Sequence, residues 1–203
     1  MSLKDLRRLH SSYLEEVKAH LDDGYTHDAS MRPEGLHHLI RLLESSRATS
    51  LGEFGAGLST VGLRAWKQRT GRDIRFSTIE HDESWCRFMA GVLEGRNLPV
   101  DDIYTLAEYR NETLMMSAPP FDAVFVDHGP TMASRWNDVP WIVSLVKPGG
   151  LIIFDDWWPG HVRAFRSTKR IIRILTRMGL QWSVLEASRP NKNDKALAVV
   201  EKP

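Results

Sequence analysis

Residues 121–128 read Phe121-Asp122-Ala123-Val124-Phe125-Val126-Asp127-His128, a short apolar run that ends in an acid. A second run of the same kind, Leu151-Ile152-Ile153-Phe154-Asp155-Asp156-Trp157-Trp158, ends in two acids. Apolar runs of this length, rich in β-branched and aromatic residues, are typical of buried parallel strands. The two runs therefore predict strands that bring Asp127, Asp155 and Asp156 to the carboxyl edge of one sheet, where open α/β folds bind ligands.

The chain around these runs alternates between strand and helix patterns from about residue 50 onward. Strands are predicted near 50–54, 74–80, 102–106, 121–127, 150–155, 182–187 and 196–201, and helices near 59–69, 83–94, 133–145 and 161–178. This alternation predicts a seven-stranded, mainly parallel α/β sheet with helices on both faces. Turn residues alone separate the last two strands, which predicts a hairpin and an antiparallel last strand.

Two further helices are predicted before the sheet, over residues 3–22 and from Pro33 onward. The length of 203 residues suits one domain. We expect a helical N-terminal cap or substrate region at 1–48 and a cofactor-binding core at 49–203.

Composition narrows the class of protein. A net charge of +1 gives no general attraction to nucleic acid or membranes, so neither is expected as a partner. The single cysteine, Cys86, excludes an internal disulfide framework and suits a cytoplasmic protein. The charged N-terminus does not resemble a signal peptide, and no apolar stretch is long enough to span a bilayer. A homodimer is left open.

The segment from Glu53 to Thr60, Glu53-Phe54-Gly55-Ala56-Gly57-Leu58-Ser59-Thr60, joins a strand to a helix through a glycine-rich turn. Gly55 and Gly57 allow a ligand to approach the backbone closely. The next strand ends in Glu80, at the distance of roughly 20 residues at which an acid accepts the ribose hydroxyls of a nucleoside. Glu53 is placed to receive a cationic amine. The alternative is an ordinary tight turn, with Glu80 capping the following helix.

These segments together resemble class I S-adenosylmethionine-dependent methyltransferases, which have a Rossmann-like fold. The resemblance covers about residues 50–203 and includes Val146-Lys147-Pro148-Gly149-Gly150 and the terminal hairpin. It implies S-adenosylmethionine as cofactor, with the loop residues facing its methionine part. It also implies ribose binding by Glu80 and adenine contacts by His81 and by the strand end Leu106-Ala107-Glu108. The cofactor-binding residues expected in this way are Glu53, Gly55, Ala56, Gly57, Ser59, Thr60, Glu80, His81, Glu108 and Asp127.

The acids Asp127, Asp155 and Asp156 resemble the metal ligands of catechol-type and macrocin-type O-methyltransferases. This similarity implies a Mg²⁺ ion that holds and activates a substrate hydroxyl, and carboxylate oxygens suit such a hard cation. The alternative for each acid is a helix N-cap. Catechol-type enzymes carry a catalytic lysine three residues after the first metal aspartate, where this chain has Pro130. The proton acceptor must therefore be a different group, for which His128 and His161 are the candidates beside Asp127, or the metal alone suffices.

The hypothesis at this point is a Mg²⁺-dependent O-methyltransferase for a small hydroxylated molecule, either catechol-like or sugar-like. Alternative functions are a metal-independent N- or O-methyltransferase acting on another small molecule or RNA, and a binding protein that holds the cofactor without catalysing a reaction. A nicotinamide oxidoreductase is a further alternative. Trp157 and Trp158 are candidates for stacking on the substrate.

Overall fold

The computed structural model of the chain describes residues 1–21, 31–100, 102–113, 120–127, 132–157, 162–185 and 196–203. Side chains are described for these residues except 112–113, 132–136, 156–157, 162–168, 185 and 196. His128, His161, Trp158 and the turn predicted between the last two strands lie outside the described residues. The side chains of Asp156 and Trp157 also lie outside them.

Helices and strands alternate along the described chain after two initial helices. They are α1 (Leu3–His20), α2 (Pro33–Ser45), β1 (Ser50–Phe54), α3 (Leu58–Thr70), β2 (Arg75–Glu80), α4 (Glu83–Gly95), β3 (Ile103–Thr105), α5 (Leu106–Thr113), β4 (Phe121–Val126), α6 (Met132–Ser144), β5 (Val146–Trp157), α7 (Val162–Arg177), β6 (Trp182–Leu185) and β7 (Ala196–Glu201).

The strands form one sheet in the order β3-β2-β1-β4-β5-β7-β6. The first five strands in that order pair in parallel, and β7 runs antiparallel to both β5 and β6. The predicted seven-stranded, mainly parallel sheet with a reversed last strand is therefore confirmed. Strand order reverses between β1 and β4, which is the position at which doubly wound sheets bind ligands.

Alternate residues of the central strands enter two separate hydrophobic clusters, one on each face of the sheet. Ala123 and Phe125 of β4 pack with α1, α2, α3 and α4, whereas Val124 and Val126 pack with α5, α6 and α7. This is the pattern of a strand buried on both faces. Helices α1 and α2 contribute Leu6, Tyr13 and Leu36, each at most 1% exposed, to the first cluster. The N-terminal helices therefore share a core with the sheet.

The region after β3 differs from the sequence prediction. The expected strand end at Leu106-Ala107-Glu108 is the first turn of α5, so this part of the prediction is wrong. The Glu108 carboxylate accepts hydrogen bonds from the Thr105 backbone amide at 2.8 Å and from its hydroxyl at 2.7 Å, while the Glu108 amide donates to Thr105 Oγ1 at 3.3 Å. This reciprocal capping starts a helix and ends the strand.

Strand β5 is longer than predicted, since it begins at Val146 rather than near residue 150. Its pairing with β4 changes register between Phe121 and Ala123, and this irregularity accommodates the Lys147–Gly150 segment. Within the described ranges, none of the helices is both long and apolar enough to cross a membrane.

Candidate active site

The carboxyl edge of the sheet gathers four of the predicted site residues. Phe54 of β1 is in register with Ile79 of β2 and with Val126 of β4, and Val126 is in register with Phe154 of β5. The residues that directly follow these four are Gly55, Glu80, Asp127 and Asp155. The glycine-rich loop and three acids therefore begin at one level of the same edge.

Backbone hydrogen bonds fix this edge. The amide of Gly55 donates to the Ile79 carbonyl oxygen at 2.8 Å, and the amide of Asp127 donates to the Phe54 carbonyl oxygen at 2.7 Å. Gly55 has a φ of 102°. Glycine adopts this left-handed conformation without the steric cost that a Cβ atom brings, and this explains the first glycine of the motif.

All three amides of the Gly55-Ala56-Gly57 loop donate to groups inside the protein. The Gly55 amide donates to the Ile79 carbonyl, the Ala56 amide to Glu80 Oε2 at 2.9 Å, and the Gly57 amide to Thr60 Oγ1 at 2.9 Å. Dinucleotide-binding loops use close backbone approach and a helix N-terminus to hold a pyrophosphate. Here these three N–H groups are already engaged by the protein's own oxygen atoms.

The Glu53 side chain is buried beneath the loop, and its expected role toward a ligand amine stays a prediction. Its carboxylate is 1% exposed, accepts a hydrogen bond from the Thr78 hydroxyl at 2.8 Å, and lies 3.9 Å from Arg64 Nη1. Burial raises the pKa of Glu53, and the charge of Arg64 and the nearby hydroxyls of Ser59, Thr78 and Thr60 oppose that rise. Ser59 and Thr60 are likewise at most 2% exposed. Glu53, Ser59 and Thr60 therefore support the loop from beneath.

Glu80 joins the loop to the start of α4. Its Oε1 accepts hydrogen bonds from the amides of His81 at 2.7 Å and Asp82 at 3.2 Å, and also contacts His81 Nδ1. Its Oε2 holds the Ala56 amide, so that each carboxylate oxygen is tied to a neighbouring segment. Asp82, and not Glu80, caps α4 through the amides of Ser84 and Trp85. The His81 side chain is 38% exposed at this edge.

Glu108, the remaining residue expected at the adenine edge, is exposed and bonded to Thr105. Hydrogen bonds from the Thr105 hydroxyl and amide lower its pKa. The observed geometry is that of a helix cap, and its role toward a cofactor stays a prediction.

Asp127 and Asp155 follow register partners on neighbouring strands, and Asp155 is 7% exposed. Among the described residues, no group of three or more His, Cys, Asp or Glu side chains is arranged to hold a metal. The predicted trio includes Asp156, whose side chain is not described, so the trio stays a prediction. Proposed roles of His128 and His161 likewise stay predictions because both residues lie outside the described ranges.

Sequence reasoning missed three residues that organise this edge: Arg64, Thr78 and Trp85. Arg64 donates to the Pro99 carbonyl at 3.0 Å and to Thr78 Oγ1 at 3.1 Å, although it is 2% exposed. Trp85 Nε1 donates to the Ala56 carbonyl at 2.8 Å. A signal for Arg64 existed, because an arginine on the apolar face of a helix needs a partner.

Comparison with known proteins identifies the family of this architecture. A family model described as a methyltransferase domain matches residues 52–157. No curated protein sequence gives a significant match.

Solved structures share the fold over almost the whole chain. The O-methyltransferase TomG of Streptomyces achromogenes, solved with S-adenosylmethionine, is 22% identical, with a TM-score of 0.64 over 98% of this chain and 89% of that one. The Bacillus cereus O-methyltransferase, solved with S-adenosylhomocysteine, is 17% identical, with a TM-score of 0.65 over 96% and 91%. Podospora anserina PaMTH1 gives 15% identity and a TM-score of 0.64 over 96% and 88%.

Proposed function

The chain belongs to the methyltransferase-domain family with the class I S-adenosylmethionine-dependent fold, and we propose that it methylates a hydroxyl oxygen of a small molecule. The acceptor is catechol-like or sugar-like, and a divalent cation, Mg²⁺ in the simplest case, assists the reaction. The observation that carries the proposal is that Asp127 directly follows β4 and Asp155 lies in β5, the next two strands after β1 in the sheet, at the same sheet edge as the Gly55–Gly57 loop.

The charge of this edge favours a cationic cofactor over a dinucleotide. Glu80, Asp127 and Asp155 all begin at the level of the loop, and the loop amides are engaged by the protein. An anionic pyrophosphate would meet Asp127 and Asp155 there and would find those amides occupied. A sulfonium cation and an ammonium group are instead attracted by the acids. This contrast supports S-adenosylmethionine and argues against a nicotinamide cofactor.

Cofactor binding in the proposal depends on the loop and on Glu80. Bound S-adenosylmethionine would supply an electrophilic methyl group on a sulfonium cation. Glu80 would accept a ribose hydroxyl at Oε2, which holds the Ala56 amide, because Oε1 is already engaged by the amides of His81 and Asp82 and by the His81 ring. The Gly55–Gly57 backbone, which carries a Cβ only at Ala56, would lie against the methionine part. These residues therefore fix the position of the methyl group.

The acceptor half of the site depends on the acids of β4 and β5. Asp127 and Asp155, joined in the proposal by Asp156, are the residues that would hold a divalent cation, and carboxylate oxygens are the ligands that Mg²⁺ prefers. The cation would favour the deprotonated form of a coordinated hydroxyl. By fixing that oxygen in line with the methyl group, the acids would contribute alignment worth up to roughly 7–11 kcal/mol of the barrier. His128 and His161 remain the proposed proton acceptors.

The test is a methyl-transfer assay combined with cofactor binding. We expect calorimetry to detect binding of S-adenosylmethionine and S-adenosylhomocysteine but not of NADH. We also expect turnover of a catechol or sugar acceptor to require Mg²⁺. Asp155→Asn should abolish turnover while cofactor binding persists. The matched control is Asp73→Asn, since Asp73 is an exposed aspartate just before β2, at the opposite edge of the sheet. Full turnover in excess chelator would overturn the metal part of the proposal.

A further inference from the structure

The indole of Trp85, in the first turn of α4, bonds to the middle of the glycine-rich loop. Its Nε1 donates to the carbonyl oxygen of Ala56 at 2.8 Å. The position of Trp85 is itself fixed, because the Asp82 carboxylate caps α4 and accepts its backbone amide at 3.1 Å. A side chain from the helix after β2 is therefore anchored to the loop after β1.

This bond completes the anchoring of one peptide unit. The carbonyl group of the Ala56–Gly57 peptide is held by Trp85, and the amide of the same peptide is held by Thr60 Oγ1 at 2.9 Å. The preceding peptide is held through its amide by Glu80. Glycine lacks the Cβ atom that restricts other residues, so a loop with glycine on both sides of Ala56 has a soft backbone unless its peptides are bonded. Trp85 supplies the one carbonyl contact among these bonds.

Aromatic contacts support the indole from the side of α1. The Trp85 and Phe88 rings have centroids 4.8 Å apart, and the His20 ring stacks on Phe88 at 4.1 Å with an interplanar angle of 17°. His20 is the last residue of α1. Trp85 therefore connects the end of the first helix to the loop through a series of ring contacts, which add stability beyond simple burial.

We propose that Trp85 is a positioning residue for the methyl donor: it holds the Ala56–Gly57 peptide in the orientation that the donor binds. The inference rests on the proposed function, because it concerns the same cofactor site. Trp85 acts through the backbone of the loop and takes no part in the transfer itself. Holding a flexible loop in its binding conformation raises affinity, because less conformational entropy is then lost when the ligand binds.

The test compares two tryptophans that both donate from Nε1. Trp85→Phe keeps a ring against Phe88 but removes the hydrogen bond to the loop. The matched control is Trp66→Phe, since Trp66 donates to Glu44 at 3.2 Å, away from the loop. Amide hydrogen exchange on the protein without ligand measures loop order, and calorimetry with S-adenosylhomocysteine measures affinity.

We expect Trp85→Phe to speed amide hydrogen exchange at residues 55–57. The variant should also bind S-adenosylhomocysteine about five- to tenfold more weakly, which is the equivalent of one lost hydrogen bond. Trp66→Phe should change neither the exchange at residues 55–57 nor the affinity, even if it lowers thermal stability as much as Trp85→Phe does. Unchanged exchange in Trp85→Phe, or equal effects of the two variants, would overturn the inference. If the wild-type protein binds no donor, the proposed function and the donor role fail together. Faster exchange would then show only that Trp85 orders the loop.

Discussion

Arg64 Nη1 lies 3.9 Å from Glu53 Oε2, and both side chains are at most 2% exposed. The Thr78 hydroxyl bridges them, because it accepts from Arg64 at 3.1 Å and donates to Glu53 at 2.8 Å. Through these three residues, α3 is bonded to β1 and β2 directly beneath the glycine-rich loop. The network is internal, and it holds together the elements from which the loop and Glu80 emerge.

Loss of the arginine leaves a buried carboxylate without its charge partner. We expect Arg64→Met to lower the free energy of unfolding by about 3–5 kcal/mol, the usual cost of breaking a buried pair from one side. The double variant Glu53→Gln/Arg64→Met should regain part of this loss, because it removes the orphaned charge. Denaturant titrations of the wild type, both single variants and the double variant provide the measurement. An Arg64→Met protein as stable as the wild type would contradict the prediction.

Asp122 joins three strands at the amino edge of the sheet, opposite the edge that holds the candidate site. Its Oδ2 accepts from the amides and hydroxyls of Thr49 and Ser50 at 2.8–3.0 Å, and Oδ1 accepts from Lys147 at 2.7 Å. Desolvation by burial would raise the pKa of Asp122, but Lys147 and these hydrogen bonds outweigh it and hold the pKa well below 3.8. The lowered pKa means that the folded state stabilises the charged form of the carboxylate.

This shift predicts acid sensitivity that depends on Asp122. A carboxyl with a depressed folded pKa stabilises the protein above its unfolded pKa of about 3.8, and the contribution is lost as the pH falls through the folded value. We expect Asp122→Asn to be less stable than the wild type by about 1.5–3 kcal/mol at pH 7. That gap should narrow below pH 4, as measured by urea titrations at several pH values. Asp73→Asn is the control, and a gap independent of pH would contradict the prediction.

Glu80 is predicted to combine two roles at the cofactor site, since it holds the Ala56 amide and would bind the ribose. In Glu80→Gln one carboxylate oxygen becomes an NH₂ group. Whichever oxygen is replaced, the NH₂ group faces a backbone amide, that of Ala56 or that of His81, and two donors cannot form a hydrogen bond. We expect S-adenosylhomocysteine to bind at least about tenfold more weakly, the equivalent of 1.4 kcal/mol. Calorimetry with adenosine should show a comparable loss, because the ribose is common to both ligands. Affinity for both ligands equal to that of the wild type would exclude the role of Glu80.

Two helix glycines differ in the space around them. A Cβ on Gly62 of α3 would clash with Leu36 Cδ2, whereas a Cβ on Gly91 of α4 would meet nothing within 4 Å among the described residues, apart from its chain neighbours and its own helix backbone. Leu36 is fully buried, so it has little room to move. We expect Gly62→Ala to destabilise the protein by about 1–3 kcal/mol through overpacking. Gly91→Ala should instead stabilise it by about 0.5–1 kcal/mol through helix propensity, and thermal unfolding of both variants measures the difference.

The class of fold and the sheet edge at which the site lies could both be predicted from the order of the amino acids. Apolar runs such as 121–126 and 151–154 reveal buried strands without any knowledge of their neighbours, because both faces of such strands must be apolar. Acids directly after these runs must then lie at the carboxyl edge of a parallel sheet. The predicted strand end at 106–108 was wrong because a local capping box between Thr105 and Glu108 outweighed a weak strand pattern.

Which polar residues face inward and which hold the loop became visible in the folded chain and not in the sequence. Glu53 is buried because its strand directs that side chain toward Arg64 and Thr78, partners that lie 11 and 25 positions further along the chain. Trp85 reaches Ala56 because α4 begins beside the loop once β1 and β2 have paired. Such contacts depend on register and helix placement, and no local pattern of residues encodes them. Sequence periodicity specifies which face of a helix or strand is buried, whereas packing alone specifies the partner of each side chain.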